Sequence, residues 1–251
     1  MTTISVVIPT RNDADMLAGC LAALARQTRQ ADEIVVIDNA STDKTADVCA
    51  AAGVRRIAVE LPGIAASTAY GFDQARFELI ARLDTDSVPP ADWLERVAAI
   101  LEKAGPLSAV SGPGDFYGET RFARWVGTSV YIPGYFWAIG WLLGHPPLFG
   151  SNFALRSDVW DRIRGSVHRG VPPVHDDLDI SYQIPPEVTV IADRSLRVQV
   201  SARPLADCHS VGSRLAMAWT TFAIEFRQEG PFRRRRRRRQ WERDHPRHTD
   251  P

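Results

Sequence analysis

Apolar and polar positions change their spacing regularly along the first 105 residues. Short runs of β-branched and other apolar residues, which are typical of buried strands, occupy 4–9, 32–38, 54–60 and 79–83. Between them, apolar residues recur with helical spacing over 13–28, 41–53, 63–76 and 91–105. Strands that alternate with helices of this length predict an α/β fold, with a mostly parallel sheet and helices on both faces. In such sheets, ligands bind beyond the carboxyl ends of the strands.

The regular alternation weakens after residue 109, and the most apolar part of the chain, 126–150, follows. It approaches the length of a membrane-spanning helix, but Pro133 and Gly134 interrupt it and Thr128 and Ser129 dilute it. We therefore predict one or two helices that pack on the core or line an apolar acceptor groove. A segment lying on a membrane surface is the alternative.

A net charge of zero, from 30 basic and 30 acidic residues, conceals an uneven distribution. Residues 231–251 hold nine arginines against three acidic residues, so this segment carries +6 and the rest of the chain −6. Because like charges repel and no apolar period follows, we predict that 231–251 is a disordered tail. Its charge favours attraction to anionic lipid on the cytoplasmic leaflet. No recognition motif or interleaved aromatic pattern supports nucleic-acid binding, and we expect none.

The cysteines and the N-terminus indicate where the protein works. Cys20, Cys49 and Cys208 are few and widely spaced, which fits a reducing compartment better than a disulfide framework. The first apolar run, 4–9, is short and follows no charged region, so we predict no signal peptide. The expected location is cytoplasmic, and peripheral at the inner membrane face if the arginine-rich segment binds lipid.

Two carboxylates one residue apart, Asp84 and Asp86, follow the fourth predicted strand. Along an extended strand, residues i and i+2 project to the same side, so we expect these two to converge while Thr85 faces away. Neighbouring carboxylates repel each other unless a divalent cation lies between them and a third negative group, such as a diphosphate. The alternative is that Asp86 or Ser87 caps the next helix. The position of Asp38, at the end of the second strand, favours a ligand site.

Five motifs extend this pattern across most of the chain. They are, in order, SVVIPTRND, EIVVIDNASTDKT, RLDTDS, FGSNFALRSDVW and HDDLDISYQI. In order and approximate spacing, they resemble the family 2 glycosyltransferases with the GT-A fold, over roughly residues 3–210. The resemblance implies a GT-A-type Rossmann-like sheet, with a nucleotide-sugar half in 1–110 and a helical, apolar acceptor-side half in 111–230. It also implies metal-assisted inverting transfer from a nucleotide-diphospho-sugar to an acceptor hydroxyl, with Mn²⁺ or Mg²⁺.

The resemblance assigns roles on the nucleotide-sugar side. The end of the first strand would border the base and ribose, and the acid closing the second strand would hydrogen-bond one of them. Asp86 would contact the metal directly, and Asp84 would lie nearer the ribose or the metal's water shell. The residues implied on this side are Pro9, Thr10, Arg11, Asp38, Asp84, Thr85 and Asp86.

Roles on the acceptor side follow from the last two motifs. Gly150, Ser151 and Asn152 match the small-residue loop that lines the acceptor or donor-sugar pocket. The pair Asp176 and Asp177 matches the family's acidic motif, whose second member usually acts as the base. His209 is a candidate third metal ligand, because some relatives place a histidine after that motif. The acceptor itself is unidentified, and a lipid-linked one fits the arginine-rich segment.

One departure from the family concerns the diphosphate. The family often carries Ala-Arg-Asn in the helix after the third strand, where this chain has Thr68 and Ala69. The positive charge would then come from Arg82 or Arg11.

The acidic motif has a physical interpretation of its own. Repulsion from Asp176 and Asp179 is expected to raise the proton affinity of Asp177, which suits a general base. The alternative is a short helix whose early acids stabilise its N-terminal dipole, and the two interpretations are compatible.

Two other functions remain open at this point. A nucleotidyltransferase shares the architecture, but usually has a glycine-rich loop after the first strand, where this chain reads PTRNDAD. A non-catalytic nucleotide-sugar or lipid-surface binding protein is the other, because Thr68 replaces the expected arginine. Release of pyrophosphate would indicate the first, and nucleotide binding without turnover the second.

Overall fold

We describe the chain from a computed structural model, over residues 2–118, 120–170, 174–203 and 208–246. The side chains of residues 122, 123, 208–211 and 213–215 are outside the description. The nine strands are β1 (Ile4–Thr10), β2 (Glu33–Asn39), β3 (Arg55–Val59), β4 (Leu79–Arg82), β5 (Ser108–Ser111), β6 (Gly114–Tyr117), β7 (Phe153–Arg156), β8 (Thr189–Ala192) and β9 (Val198–Ser201), counted over the described residues.

Helices connect these strands and follow them. The α-helices are α1 (Ala14–Leu24), α2 (Thr45–Ala52), α3 (Ile64–Gln74), α4 (Trp93–Ala104), α5 (Arg121–Val126), α6 (Ile132–Leu143), α7 (Ser157–Ile163), α8 (Asp176–Gln183), α9 (Cys208–Gln228) and α10 (Pro231–Asp244). A π-helical segment, Gly127–Tyr131, joins α5 to α6. The described part of the chain contains no helix with both the length and the apolar character that crossing a bilayer requires.

Seven strands form one sheet in the order β3-β2-β1-β4-β7-β5-β8. The pairs β1–β2, β2–β3, β1–β4 and β5–β8 are parallel, and β7 runs antiparallel to both of its neighbours. Every residue of β1 and β4 is buried, as expected for strands covered by helices on both faces. A second, two-stranded parallel sheet joins β6 to β9. The predicted α/β fold with a mostly parallel sheet is confirmed.

The two faces of the large sheet carry separate apolar clusters. One cluster packs α1 and α4 on Ile4, Val6 and Ile8, and the other packs α3 and α7 on Val7 and Val35. Alternate residues of β1 therefore enter opposite layers, as the strand period requires. Strands β1 to β4 precede residue 110 and β7 and β8 follow it, and all belong to one sheet, so the two predicted halves share that sheet.

The predicted disorder of 231–251 is wrong for residues Pro231–Asp244, which form helix α10. Arg234 and Arg238 lie one helical turn apart and are 4% and 6% exposed. Arg234 donates to the carbonyls of Leu143, 2.9 Å away, and Ile184, 2.8 Å away. Arg238 donates to the Pro185 carbonyl at 3.0 Å. These guanidinium groups satisfy carbonyls at the ends of α6 and α8, which holds the charged helix against the fold.

Candidate functional site

The site lies where the carboxyl ends of β1, β2 and β4 adjoin. Strand β1 is between β2 and β4 in the sheet, so the loops after these strands open on one edge. The N-terminus of α8 and the loop 149–152 before β7 lie against the same edge, because Gly150 N–H donates to Asp177 and Ser151 Oγ donates to Asp84.

The acidic pair after β4 lies in a turn, which corrects the expected strand geometry. Strand β4 ends at Arg82, and Ser87 N–H donates to the Asp84 carbonyl at 3.1 Å. The Asp84 carboxylate accepts from Ser151 Oγ at 2.6 Å and forms a 2.8 Å ion pair with Arg82. Its side chain is 31% exposed, so one edge still faces solvent. The predicted helix cap is also wrong, because α4 begins later, at Trp93, after Asp92.

Asp86 and Thr85 lie among residues that had no predicted role. Thr85 Oγ1 does not point away from the site, but donates to Asp13 Oδ2 at 2.7 Å. Arg203 pairs with the same carboxylate at 3.1 Å. The Tyr117 hydroxyl donates to the Asp86 carbonyl at 2.9 Å. The pKa of Arg203 is raised, first by its bond to Asp13 and also by the Asp86 charge, so Arg203 brings positive charge close to the acidic turn.

Arg82 joins the two acidic motifs inside the protein. Its guanidinium is 2% exposed and forms 2.8 Å ion pairs with both Asp84 and Asp176. Burial lowers its pKa, but the charges of Asp176 and Asp84 outweigh burial and raise it, so Arg82 stays charged. The structure therefore places this predicted diphosphate-binding residue between two carboxylates.

Thr68, which stands where the family often has arginine, also contacts the acidic motif. Its hydroxyl donates to Asp176 Oδ2 at 2.7 Å. Asp176 thus receives a hydrogen bond from α3 and an ion pair from the end of β4. The position that was expected to serve the diphosphate instead stabilises the first carboxylate of α8.

Asp177 is held at the N-terminus of α8 by two groups. Gly150 N–H donates to Oδ2 at 2.8 Å, and His175 Nδ1 lies 2.6 Å from Oδ1. Burial raises the pKa of Asp177, but the charge of His175, its hydrogen bond, and Arg82 lower it further than burial raises it. The expectation of a raised proton affinity is therefore wrong for this structure.

The reason is that the neighbouring acids interact elsewhere. Asp176 is paired with Arg82, and Asp179 lies on another side of α8, where its Oδ1 is 2.7 Å from His168 Nδ1. Neither presents an unbalanced negative charge to Asp177.

The residues of the loop 150–152 belong partly to the site and partly to the core. A side chain at Gly150 would overlap Arg82 Nη1 and lie 3.0 Å from Asp177 Oδ2, so glycine is required by close approach. Ser151 binds Asp84, as described above. Asn152 is fully buried, and its amide bonds Trp93 Nε1 at 2.9 Å and the Leu196 carbonyl at 2.6 Å. The structure thus assigns Asn152 to the core and not to a pocket wall.

The predicted base and ribose residues lie at the ends of β1 and β2. Asp38 is 1% exposed and accepts from Arg56 Nε at 2.7 Å and from Ser41 N–H at 3.1 Å. Thr10 is buried, and its hydroxyl has no hydrogen-bond partner among the described residues. Pro9 is buried in β1, whereas Arg11 is exposed just beyond it.

A tyrosine from α6 reaches the acidic motif of α8 and was missed from the sequence. The Tyr135 hydroxyl is buried and has no hydrogen-bond partner among the described residues. Burial raises its pKa well above the usual value, and the Asp177 charge raises it further. Only its place in the apolar segment marked it in the sequence, and Trp137 and Trp141 share that property.

The carboxylates of the acidic turn are suitable ligands for a divalent cation. Asp84 and Asp86 offer carboxylate oxygens, the ligand type that Mg²⁺ and Mn²⁺ prefer, at a partly exposed turn. The two carboxylates therefore fit a divalent cation whose remaining coordination positions a diphosphate would fill. His209, the predicted third ligand, falls in α9, and its side chain lies outside the described residues.

Two other groups in the described part of the chain bring three possible ligands together. They are His175, Asp176 and Asp177, and His168, Asp179 and Glu225. Neither includes Asp84 or Asp86. In the second group, His168 lies 2.7 Å from Asp179 and 3.2 Å from Glu225, and both acids are fully buried.

Glu225 makes stability depend on pH. Burial and Asp179 raise its pKa to about 9, and a hydrogen bond from Gln183 and the Arg234 charge oppose this. Because the folded pKa lies above the unfolded value, folding takes up a proton, and this contribution is fully present below the unfolded pKa. We expect this contribution to stability to be lost progressively as pH rises from about 5 towards 9.

Chemical denaturation of the Glu225→Gln variant at pH 6, 7 and 8 tests this expectation. The variant should show a flatter dependence than the unmodified protein, while His168 and Asp179 remain in place. Parallel curves for the two proteins would contradict it.

Comparison with known proteins agrees with this fold. The family model described as Glycosyl transferase family 2 matches residues 5–163, more than half of the chain. The chain therefore belongs to glycosyl transferase family 2, and the predicted family is confirmed.

Two curated relatives are similar over part of their length. Glycosyltransferase AglE of Haloferax volcanii is 30% identical over 121 residues, 45% of this chain and 40% of that protein. A PGL/p-HBAD biosynthesis glycosyltransferase of Mycobacterium bovis is 34% identical over 130 residues, 49% of this chain and 50% of that protein. The matched region thus spans half or less of each relative.

Solved structures share the fold at low sequence identity. The mannosyltransferase PcManGT of Pyrobaculum calidifontis, in complex with GDP-Man and Mn²⁺, has a TM-score of 0.69 at 21% identity, covering 93% of this chain and 68% of that one. Glucosyl-3-phosphoglycerate synthase of Mycobacterium tuberculosis, with Mn²⁺, UDP-glucose and phosphoglyceric acid, has a TM-score of 0.63 at 18% identity, covering 89% and 79%.

Proposed function

We propose that this protein transfers a sugar from a nucleotide-diphospho-sugar to an acceptor hydroxyl, with inversion and with Asp177 as the general base. One observation carries the proposal: the acidic turn and the N-terminus of α8 are joined into one site through Arg82, which binds Asp84 and Asp176 at 2.8 Å each. A donor bound at the turn therefore lies beside the candidate base.

The donor proposal rests on the edge of the sheet and on the relatives. Diphosphate is anionic, and Arg203 and Arg11 bring exposed positive charge to the same edge as Asp86. The structural relatives bind GDP-Man and UDP-glucose, so both guanine and uracil donors are candidates. We assign the base or ribose contacts to Asp38, which is hydrogen-bonded to Arg56, and to the Thr10 hydroxyl, which has no hydrogen-bond partner among the described residues.

A divalent cation, Mn²⁺ or Mg²⁺, would be held by Asp86 with support from Asp84. Asp84 accepts from Ser151 and pairs with Arg82, which suits a supporting role, and the family resemblance assigns the direct contact to Asp86. The cation would neutralise the charge that develops on the departing nucleoside diphosphate. Both relatives described above bind Mn²⁺, which supports this assignment.

Asp177 would take the proton of the acceptor hydroxyl as its oxygen bonds to the sugar. In the same displacement, the bond from the sugar to the diphosphate oxygen breaks, and its electrons leave with the diphosphate. An oxygen that attacks from the side opposite the leaving group inverts the anomeric configuration. Each carboxylate oxygen can accept a second hydrogen bond, so the hydroxyl could bind Asp177 beside Gly150 N–H or His175. The buried Tyr135 hydroxyl, whose pKa the Asp177 charge raises, would offer the acceptor a second polar contact.

Turnover of UDP-, GDP- and dTDP-sugars with Mn²⁺ or Mg²⁺, read as release of nucleoside diphosphate, tests the donor and metal assignments. Asp86→Ala should lose the metal-stimulated activity, by about 10²-fold or more, because the leaving group loses its counter-charge. Asp161→Asn is the matched control, since Asp161 is 65% exposed in a surface ion pair. Full activity in Asp86→Ala would refute the metal role, and release of pyrophosphate from nucleoside triphosphate would indicate a nucleotidyltransferase instead.

A further inference from the structure

We propose that the outer side of α6 and the exposed side of α10 together form a docking surface for an anionic lipid bilayer. We call this surface the aromatic–arginine face. Its members are Trp137, Trp141, Phe232, Arg233, Arg235, Arg236 and Arg239. The biological purpose of this surface rests on the proposed function. The surface adds to that function by indicating that the acceptor is linked to lipid.

Helix α6 has one side in the site and the other in solvent. Tyr135 points inward, with its ring 6.0 Å from that of Phe149 and its hydroxyl near the acidic motif. Trp137 follows two residues later, about 200° around a helix, and is 76% exposed. Trp141 lies one turn further along the same side, at 42% exposed. Any surface that covers these tryptophans would therefore lie directly behind the acceptor side of the site.

Helix α10 continues this exposed aromatic side. Phe232 is 74% exposed, and its ring meets Trp141 edge to face, with centroids 5.7 Å apart. Arg235 lies over the Trp141 ring at 4.9 Å and donates to the Trp141 carbonyl at 2.6 Å. A shallow depression beside Phe232 is lined by Arg235, Arg236, Arg239 and Arg243. Aromatic and cationic side chains thus alternate over one continuous surface.

The consecutive arginines of α10 are not equivalent. Arg234 and Arg238 are buried and hold the helix in place. Arg233, Arg236 and Arg239 are exposed, and the ion pairs of the described residues include none of the three. Because Arg234 and Arg238 are buried, the orientation of α10 is fixed, and its exposed arginines point to solvent on the opposite side.

The chemistry of this face fits the membrane interface. Tryptophan side chains concentrate at the level of lipid headgroups, and arginines near an anionic surface are attracted to it. Exposed rings of this size leave apolar area in water, which insertion between headgroups would remove. A nucleic acid would satisfy the charge, but Trp141 and Phe232 pack edge to face with each other, and Arg235 lies over the Trp141 ring, which disfavours base stacking there.

Sedimentation of the full chain with vesicles tests the proposal, and needs neither donor nor acceptor. Pure phosphatidylcholine vesicles are compared with vesicles containing 30% phosphatidylglycerol. We expect binding to the anionic vesicles alone, weakened by salt. Replacing Arg233, Arg236 and Arg239 by Gln should lower the partition coefficient about 100-fold, from roughly one kcal/mol per arginine.

Two further variants make the result specific. Replacing Trp137 and Phe232 by Ser should also weaken binding, because the rings insert. Replacing Arg26, Arg76 and Arg194, which are exposed elsewhere, by Gln removes the same charge and should change binding far less. Circular dichroism checks that every variant is folded.

Equal binding to both vesicle types would overturn the proposal, as would an equal loss of vesicle binding in the two triple-arginine variants. Binding to a 20-nucleotide DNA or RNA without binding to anionic vesicles would assign the face to nucleic acid instead. Vesicle binding by a protein without transferase activity would leave this proposal standing and refute the proposed function.

Discussion

Replacing Asp177 by Asn is expected to lower kcat for sugar transfer by about 10²–10⁴-fold, the range that general-base catalysis contributes. The amide cannot take the proton of the acceptor hydroxyl, although it can still accept the hydrogen bond of Gly150 N–H, which lies 2.8 Å from the carboxylate. In the proposed complex the donor binds at the other acidic motif, so its KM should change little. Steady-state kinetics at fixed Mn²⁺ measure both constants.

Asp161→Asn and His175→Asn complete this experiment. The first is a surface control and should leave kcat unchanged. The second keeps Asp177 but removes the ring nitrogen 2.6 Å from its Oδ1, so the pKa of Asp177 should rise and the pH profile of kcat should shift upward. If Asp177→Asn keeps full kcat, Asp177 is not the base.

Replacing Arg82 by Met is expected to cost about 3–5 kcal/mol of folding free energy. Its guanidinium is 2% exposed and pairs with both Asp84 and Asp176, and Asp176 is itself 4% exposed. Methionine fills similar volume but removes the 2.8 Å ion pair of the buried Asp176 carboxylate, which keeps the Thr68 hydroxyl at 2.7 Å and His175 at 4.0 Å. Urea unfolding, analysed by linear extrapolation, gives the change.

A matched arginine shows whether burial is the cause. Arg197 pairs with Asp115 at the surface, where both side chains are more than a third exposed. Arg197→Met should therefore cost about 1 kcal/mol or less. Similar losses for the two variants would show that Arg82 does not hold the acidic motifs together.

Much of the fold and part of the site follow from local patterns. A buried parallel strand reads as a short apolar run, and an acid that follows it must lie at the carboxyl edge of the sheet. Asp38 and Asp84 lie at the ends of their strands for this reason. The helix of the acidic motif was likewise visible as early acids before an apolar period, as observed for Asp176–Gln183.

Contacts between distant segments were beyond local patterns. Thr68 and Asp176 are 108 positions apart, and nothing near either residue indicates the other. The lowered pKa of Asp177 depends on which neighbours face it, and Asp179 turned out to face His168. Sequence spacing shows which charged residues lie near Asp177 along the chain, but not which of them face it in the fold.

The arginine-rich segment shows the same limit. Seven consecutive arginines repel each other as an isolated peptide, which predicts disorder. Helix α10 forms because Arg234 and Arg238 reach carbonyls at the ends of α6 and α8. These acceptors become visible only when the helices are assembled.

The anomeric configuration of the product tests the proposed mechanism most directly. Proton NMR during turnover of an α-linked nucleotide-diphospho-sugar, with the proposed lipid-linked acceptor in anionic vesicles, follows donor and product together. Single displacement with Asp177 as base predicts a β-linked product, formed by the unmodified protein and at most about 1% as fast by Asp177→Asn. An α-linked product, or equal rates for the two proteins, would contradict it.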